Sequence, residues 1–417
     1  MKKIKIDGNY PLTGTIKISG AKNSAVALVP ASLLADDEVT IDNIPNISDI
    51  NALNEILEYL GATVTRKEET MKINPSTVEN KEIPEEQAKK LRASYYFMGA
   101  LLGKYKKAEM YFPGGCSIGA RPIDLHLKGF EALGATITTE NNKYIIQADK
   151  LIGTNIYLDF ASVGATINIM LTATKAEGTT IIENAAKEPE IVNVATFLNQ
   201  MGAKITGAGT SEIKIKGVKK LNGCFTEVIP DRIEAGTYII AGALVGEKLR
   251  IDNIIPDHIE SLLLKLQEMK ANMEIEKDHI IISKTEKLKK INVQTQVFPG
   301  FPTDLQQPLT TLLTQCSGVS LLEENIYENR FQNVKYLNEM GADIKIDNKL
   351  LLINGPTKLK GKEVKATDLR AGACLVLAGL KAEGTTTISD IEHVLRGYEN
   401  IIEKLKAVGA HISLIEE

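Results

Sequence analysis

A short motif recurs along this chain at intervals of about 70 residues. In each copy an amphipathic run ends in Gly-Ala and continues into a β-branched stretch. Five copies carry the glycine, which is Gly61, Gly134, Gly202, Gly341 or Gly409. The interval from Gly202 to Gly341 is doubled, so a further copy is expected in QEMKANMEI, where Lys270 takes the place of the glycine. Self-similarity at a fixed period predicts a repeat architecture, and six such units account for all 417 residues.

Each unit also contains a strongly apolar run with a polar or charged start, such as AKNSAVALVPASLLA or DLRAGACLVLAGL. A run that is apolar nearly all round is typical of a buried helix, whereas the Gly-Ala runs have the single apolar stripe of an outer helix. Strand-like stretches follow both, which predicts an α/β fold. Because the units are longer than the 20–50 residues of ordinary solenoids, two closed domains of three units each are favoured, with a boundary near residue 229.

Composition and charge exclude several classes of protein. The net charge of −4 gives no basic footprint for nucleic-acid binding. The four cysteines are far apart and form no CxxC pair, which argues against a structural zinc site or a disulfide framework and favours a reducing compartment. The apolar runs are shorter than the roughly 20 residues that span a bilayer. We therefore expect a cytoplasmic protein without a metal centre, a membrane association or a nucleic-acid partner.

Polar and charged residues collect at the starts of the predicted buried helices. A helix N-terminus carries free N–H groups and about half a positive charge, so several such termini pointing the same way form an anion site. We therefore expect a cleft between the two domains that binds a small, highly anionic ligand. The residues at these starts are Lys22, Asn23, Arg92, Ser162, Asp231, Arg232, Asp304 and Arg370, with Arg121, Arg330 and Arg396 adding positive charge.

One cysteine lies in a glycine-rich segment, FPGGCSIGARP, in which Cys116 precedes Arg121 by five residues. Cysteines that serve packing normally have apolar neighbours, whereas glycine and serine leave this sulfur uncovered. Nearby arginines favour the thiolate. We call this segment the cysteine loop, and packing does not explain its exposed thiol.

The motifs LRASYYFMGALL, PGGCSIGARPIDLHLKGFEALGA, SVGATINIML, FPTDLQQP, YENRF, DLRAGA and RGYE resemble the enolpyruvyl transferases, and more specifically the branch that uses a nucleotide sugar. The resemblance covers essentially the whole chain in order. It implies two inside-out α/β barrel domains, each built from three pseudo-repeats, with the active site in the cleft between them. It also implies that residues 21–229 form the domain with the cysteine loop and that residues 1–20 join 230–417 in the second domain.

The resemblance further implies transfer of the enolpyruvyl group of phosphoenolpyruvate to the 3′-hydroxyl of UDP-N-acetylglucosamine, with release of phosphate and without a cofactor. This reaction is the first committed step of peptidoglycan precursor synthesis. The implied catalytic residues are Cys116 as proton donor, Asp304 as the group that takes or guides the hydroxyl proton, Lys22 and Arg396. Asp304 also has the sequence context of a helix N-cap. The implied phosphoenolpyruvate contacts are Lys22, Asn23, Cys116, Arg121, Arg330, Arg370 and Arg396.

The nucleotide-sugar contacts implied by the same motifs are Asn23, Arg92, Arg121, Pro122, Ile123, Asp124, Leu125, Ser162, Val163, Asp304 and Ile326, with Asp368 orienting its neighbours. His126 follows the loop and is interpreted as structural. Leu395 departs from the family pattern, in which an acidic residue precedes the arginine at position 396.

Two alternatives remain open at the level of the sequence. One is 5-enolpyruvylshikimate-3-phosphate synthase, which shares the fold and the donor chemistry but uses another acceptor; the cysteine loop and RPIDL argue against it. The other is a non-catalytic repeat protein that binds anionic partners. Cys116, Asp304 and the basic set together argue against that second alternative.

Overall fold

The computed structural model describes residues 2–114 and 123–416 and has a mixed α/β architecture. Its contacts divide the chain into two compact units. We call residues 2–19 with 230–416 the 230–416 unit, and residues 20–114 with 123–229 the 20–229 unit. Each unit has its own core of leucine, isoleucine, valine and alanine side chains. Within the described ranges no helix combines the length and apolarity needed to cross a membrane.

The helices alternate between buried and amphipathic along the chain, as the repeat predicts. In chain order they are α1 Lys22–Ala31, α2 Ser48–Leu60, α3 Glu85–Lys90, α4 Tyr96–Tyr105, α5 Asp124–Ala132, α6 Val163–Ala173, α7 Pro189–Gln200, α8 Arg232–Val245, α9 Glu260–Glu268, α10 Gln306–Leu313, α11 Gln332–Glu339, α12 Leu369–Lys381, α13 Glu392–Leu395 and α14 Ile401–Ala407. Short 3₁₀ turns cover Ser32–Leu34, Arg92–Tyr95, Pro256–Ile259 and Thr303–Leu305.

The strands are short, and most follow a helix. In chain order they are β1 Lys2–Asp7, β2 Leu12–Lys17, β3 Val39–Asp42, β4 Thr63–Lys67, β5 Thr70–Asn74, β6 Lys107–Tyr111, β7 Thr136–Glu140, β8 Lys143–Gln147, β9 Asn155–Tyr157, β10 Thr179–Glu183, β11 Lys204–Thr206, β12 Glu212–Lys216, β13 Phe225–Glu227, β14 Gly246–Asp252, β15 Asn272–Ile275, β16 His279–Ser283, β17 Leu288–Lys289, β18 Asn292–Gln294, β19 Cys316–Glu323, β20 Asp343–Asp347, β21 Leu350–Gly355, β22 Glu363–Lys365, β23 Thr385–Ser389 and β24 His411–Glu416.

Each unit contains three small sheets among its described residues. In the 20–229 unit the strand orders are β13-β3-β5-β4, β6-β8-β7 and β11-β12-β10-β9. In the 230–416 unit they are β22-β23-β1-β24, β15-β16-β14-β2 and β17-β19-β21-β20, with β18 also pairing with β19. Helices α1, α4 and α6 pack together in one unit, and α8, α10 and α12 in the other. Because each group of helices is apolar on nearly all sides, the sheets cover it.

The strands that flank a buried helix explain why residues 2–19 belong to the 230–416 unit. In three strand-helix-strand segments the two strands pair in parallel with one another. These segments are β9-α6-β10, β18-α10-β19 and β22-α12-β23. Around α1 and α8 the partners are exchanged. Strand β2, which precedes α1, pairs with β14, whereas β13, which precedes α8, pairs with β3.

The turn after each outer helix confirms the sixfold repeat. Gly202 has φ +107° and Lys270 has φ +64°, so both residues lie in the left-handed region. The hydrogen bonds match as well. Gly202 N donates to Asn199 O at 2.9 Å, and Lys270 N donates to Gln267 O at 3.0 Å. Lys270 therefore occupies the glycine position of the repeat at the conformational cost that an L side chain meets there.

We predict that Lys270→Gly stabilises the 230–416 unit by about 0.5–1 kcal/mol, because relief of the left-handed strain exceeds the added chain entropy. The matched variant is Gly202→Ala. An added Cβ there has open space, with Asn222 Nδ2 nearest at 3.8 Å, so only the backbone penalty operates and the 20–229 unit is destabilised. Urea unfolding midpoints measure both effects. A lower midpoint for Lys270→Gly would contradict the assignment.

Candidate active site

A carboxylate held between two buried guanidinium groups forms a charged cluster in the 230–416 unit. Asp304 lies in the 3₁₀ turn that precedes α10, and its Oδ1 is 2.6 Å from Arg330 Nη2. Its Oδ2 is 3.0 Å from Arg370 Nη2. Both arginines are buried, with 3% and 5% of their surface exposed. The three groups sum to one positive charge, which favours an anionic ligand.

The start of α12 fixes the orientation of Arg370. Asp368 is the N-cap residue, and its Oδ1 accepts hydrogen bonds from the N–H groups of Arg370 at 2.8 Å and Ala371 at 3.0 Å. Arg370 Nη1 donates to the Tyr398 hydroxyl at 3.0 Å. Burial lowers the pKa of Arg370. The charge of Asp304 and the hydrogen bond to Tyr398 raise the pKa by more than burial lowers it, so the net pKa lies above the ordinary value. The guanidinium therefore stays charged.

Arg330 is held through its backbone as well as its side chain. Gln307 Nε2 donates to the Arg330 carbonyl at 2.8 Å and to Asp368 Oδ2 at 3.4 Å. The guanidinium carbon lies 5.3 Å from the centre of the Tyr327 ring. Its Nε has no hydrogen-bond partner within residues 2–114 and 123–416. One glutamine of α10 thus connects the two arginine-bearing segments.

In the 20–229 unit, Lys22 is the first residue of α1 and pairs with a carboxylate of α2. Its Nζ lies 2.6 Å from Asp49 Oδ2, and the two side chains are 13% and 5% exposed. Asn23 follows it and is partly buried. An ion pair with so little solvent exposure fixes the ammonium group at the start of the buried helix.

His126 is a buried neutral imidazole in the first turn of α5. Asn168 Oδ1 accepts the Gly99 N–H at 3.0 Å, which places the amide nitrogen toward His126 Nδ1 at 2.8 Å. Since an amide NH₂ group only donates, Nδ1 accepts and the proton lies on Nε2. Burial, and secondarily the charge of Arg92, lowers the pKa of His126 to about 3.

Arg92 itself begins the 3₁₀ turn Arg92–Tyr95 and is partly buried. Ser162 is the N-cap of α6, where its hydroxyl accepts the Ala165 N–H at 3.3 Å, and Val163 follows as the first helical residue. Ile123 is the buried N-cap residue of α5, which starts at the exposed Asp124 and continues with the partly buried Leu125. The predicted nucleotide-sugar residues that are described in this unit therefore lie at helix starts, as the sequence predicts.

The remaining predicted site residues divide into two groups. Arg396 is the residue after α13, Leu395 packs against the core of the 230–416 unit, and Ile326 lies in the loop that follows β19. Cys116, Arg121 and Pro122 lie outside the described residues. The structure joins Asp304, Arg330, Arg370 and Asp368 directly within one unit.

One sequence-based interpretation of Asp304 needs correction. The N-cap residue of α10 is Leu305, and the Asp304 carboxylate binds the two guanidinium groups. The reason is the short 3₁₀ turn, which places Asp304 before the helix. Sequence reasoning also missed Asp49, for which its position at the start of an outer helix is a usable signal.

We predict that His126→Gln flattens the pH dependence of unfolding. The folded pKa of His126, about 3, lies below the unfolded value of about 6.5, so its effect is absent above pH 6.5 and stability falls as the pH drops toward 3. The slope from this group reaches about 1.4 kcal/mol per pH unit. Glutamine keeps an acceptor for Asn168 and does not titrate.

Chemical unfolding at pH 8 and at two points between pH 6 and pH 4 provides the measurement. The difference between the two proteins at pH 8 reports packing alone, because the histidine is then neutral in both states. Parallel curves for wild type and variant would contradict a neutral buried His126.

Three comparisons place these features among known proteins. Residues 6–405 match the model of the family described as EPSP synthase (3-phosphoshikimate 1-carboxyvinyltransferase). The chain is 54% identical over 412 residues to the UDP-N-acetylglucosamine 1-carboxyvinyltransferase 2 of Geobacillus kaustophilus, covering 99% of this chain and 96% of that protein. It is 53% identical over 411 residues to the protein of the same name from Listeria innocua, covering 99% and 97%.

Two solved structures resemble the fold along its whole length. The enolpyruvyl transferase NikO from Streptomyces tendae matches with a TM-score of 0.91 and 28% identity, over 99% of both chains. An EPSP synthase from Acinetobacter baumannii matches with a TM-score of 0.76 and 20% identity, over 100% of both chains. At that identity the second likeness concerns the fold alone.

Proposed function

This chain belongs to the EPSP synthase (3-phosphoshikimate 1-carboxyvinyltransferase) family, and on that premise we propose that it is a UDP-N-acetylglucosamine 1-carboxyvinyltransferase. It would transfer the enolpyruvyl group of phosphoenolpyruvate to the 3′-hydroxyl of UDP-N-acetylglucosamine and release phosphate. The observation that carries the proposal is the identity of 53–54% over nearly the full length with proteins named for this activity. 5-Enolpyruvylshikimate-3-phosphate synthase is the weaker alternative, because the relatives with 53–54% identity are named for the nucleotide-sugar acceptor.

The 230–416 unit supplies charges that suit the donor. Phosphoenolpyruvate carries a carboxylate and a phosphate, and planar guanidinium forks bind such groups in a fixed geometry. We assign the donor carboxylate to Arg330 and Arg370. The donor phosphate is assigned to Lys22, Arg121 and Arg396, with Asn23 close to both substrates.

Asp304 has the chemistry to take the proton of the attacking hydroxyl. The carboxylate is about one-quarter exposed, whereas its two arginines are buried, so its solvent-facing side is open to a substrate hydroxyl. When the donor carboxylate engages the arginines, it competes with Asp304 for the same N–H donors. Donor binding would then weaken the hold of the arginines on Asp304 and increase its basicity.

The proton balance of the reaction requires an acid as well as a base. Carbon 3 of the donor gains a proton as carbon 2 is attacked by the acceptor oxygen, and the tetrahedral adduct then loses phosphate and a proton to restore the double bond. We assign the proton donor to Cys116 by its loop motif. Arg92, Arg121, Pro122, Ile123, Asp124, Leu125, Ser162, Val163 and Ile326 are assigned to the nucleotide sugar.

We predict that phosphate release from phosphoenolpyruvate requires UDP-N-acetylglucosamine and does not occur with shikimate 3-phosphate. Cys116→Ser should slow release by about 10²–10⁴-fold, the usual contribution of a positioned proton donor. Preincubation with the epoxide fosfomycin should inactivate the wild type irreversibly. Cys374→Ser is the control, because that thiol is buried and burial raises its pKa to about 11.

The outcomes separate the candidate functions. Release with shikimate 3-phosphate alone would favour the alternative acceptor. Release with neither acceptor would favour a non-catalytic anion-binding protein.

We predict that Asp304→Asn separates binding from turnover. Turnover should fall by about 10²–10⁴-fold because the general base is lost. Binding of phosphoenolpyruvate alone should tighten by roughly tenfold, because the variant removes one negative charge and an internal competitor for the arginines. Calorimetric titration measures the affinity, and Asp347→Asn on the exposed surface is the control.

The variant should also unfold more easily without ligand, since two buried cations lose their counter-charge. Added phosphoenolpyruvate should recover more thermal stability in the variant than in the wild type. Unchanged or weaker donor binding would refute the competition between Asp304 and the donor carboxylate.

A further inference from the structure

A buried carboxylate lies close in sequence to the arginine cluster. Glu324 is 2% exposed and follows the end of β19. Its Oε1 accepts hydrogen bonds from Thr295 Oγ1 at 2.9 Å, Ile326 N at 2.8 Å and Tyr327 N at 3.1 Å. Its Oε2 accepts the Thr303 hydroxyl at 2.9 Å. One side chain thereby joins three separate segments.

The partners of Glu324 are of an unusual kind for a buried carboxylate. Among the described residues they are two hydroxyls and two backbone amides, rather than a lysine or an arginine. Burying a carboxylate is costly unless donors replace its hydration. Four neutral donors replace the hydration of this carboxylate. If any one of the three segments moves away, the charge loses part of that compensation. The arrangement resists displacement of any one segment.

The segments that Glu324 joins carry three residues assigned to the candidate site, which are Asp304, Ile326 and Arg330. Thr303 is the immediate neighbour of Asp304 in the 3₁₀ turn. Ile326 and Tyr327 begin the loop that ends at Arg330, which pairs with Asp304 at 2.6 Å. The Asp304–Arg330 pair is therefore supported from both sides by one carboxylate. Thr295 adds a further tie, because its hydroxyl also accepts the Asn325 N–H at 2.8 Å.

We propose that Glu324 is a positioning residue that sets the Asp304 turn against the Ile326–Arg330 loop and thereby aligns the Asp304 carboxylate for proton transfer. The inference rests on the proposed function. Glu324 acts through Thr303 and the loop amides and has no role in contacting substrate. Displacement of a reacting group by about 1 Å can reduce a rate by about 10²-fold, so loss of this alignment should appear in the rate of turnover.

Thr303→Val is the most selective test, because it removes one hydroxyl and leaves the three bonds to Glu324 Oε1 in place. We expect kcat to fall by about 10- to 100-fold. The KM for UDP-N-acetylglucosamine should change by less than about threefold, since the Ile326–Arg330 loop keeps its two hydrogen bonds to Glu324 Oε1. Thr303→Ser restores the hydroxyl and should recover most of the rate. A merely structural role would lower stability without this split between kcat and KM.

Glu324→Gln tests the carboxylate itself. Three donors hold Oε1 as an oxygen, so the new amide nitrogen faces the Thr303 hydroxyl, which can rotate to accept from it. The variant should therefore fold, with a smaller loss of kcat than Thr303→Val. The double variant should lose no more than the worse single variant, because both changes cut the same link. Glu323→Gln is the matched control, since among the described residues the Glu323 carboxylate accepts a hydrogen bond from the Gln294 side chain and not from Thr303, so this variant should retain wild-type kinetics.

Two results would overturn the proposal. One is an unchanged kcat in Thr303→Val, and the other is a loss that Thr303→Ser does not recover. Failure of the proposed function is distinguishable, because the wild type itself would then release no phosphate with UDP-N-acetylglucosamine. In that case the variants are compared by titration with phosphoenolpyruvate. Positioning predicts at least a threefold change in affinity through Arg330, and equal affinities would refute it.

Discussion

Two guanidinium groups buried within reach of one carboxylate constrain the whole 230–416 unit. Buried cations of this kind require counter-charge and oriented acceptors, because desolvation outweighs an imperfectly matched attraction. Asp304 supplies the charge, and the neighbouring polar groups follow from that requirement. The Tyr398 hydroxyl accepts a hydrogen bond from Arg370, and Gln307 donates one to the Arg330 carbonyl. Asp368 accepts the Arg370 N–H and so fixes the start of α12. The cluster is thus costly to build, which is intelligible if its purpose is to receive an anion.

The repeat explains where such a cluster can form. The first turn of every buried helix exposes N–H groups that need acceptors. At Ser162, Asp231 and Asp368 an internal side chain supplies the acceptor. At the start of α1, by contrast, Lys22 adds a positive charge and no side-chain cap is present. The helix starts of one architecture therefore differ in whether an internal side chain satisfies their N–H groups, and on the proposed function the start of α1 is used for anion binding.

Most of the fold could be predicted from the periodicity of the sequence. The α/β class, the alternation of buried and outer helices and the assignment of Lys270 to a glycine position are confirmed, and the comparisons confirm the resemblance to enolpyruvyl transferases. The exchange of β2 and β13 could not be derived from the repeat. The sequence pattern of a 70-residue repeat is the same whichever strand its first strand pairs with. The resemblance implied that residues 1–20 join 230–417, but not which strands are exchanged. The cleft between domains and the role of Cys116 stay predictions.

Contacts between distant residues were beyond the reach of sequence patterns. Asp49 and Lys22 are 27 positions apart, and Glu324 joins residues on either side of β19 and α10. A glutamate that follows a strand is usually a surface residue, so the neighbouring sequence does not indicate that Glu324 is buried. Only the fold brings four donors around it. Motif matching favours residues that touch a ligand, whereas residues that hold them are visible through hydrogen bonds.

The two carboxylates of this region, one partly exposed and one buried, illustrate how a protein can separate reactivity from rigidity. Asp304 is bound by charged groups and is partly exposed, so a competing anion can loosen its bonds and change its basicity. Glu324 is bound by neutral donors and is fully enclosed, so no incoming ligand competes for them. On the proposed function Asp304 is a base that must respond to its substrate, which requires the first environment. The element that keeps that base in place needs the second, and Thr303 next to Asp304 is the point where the two meet.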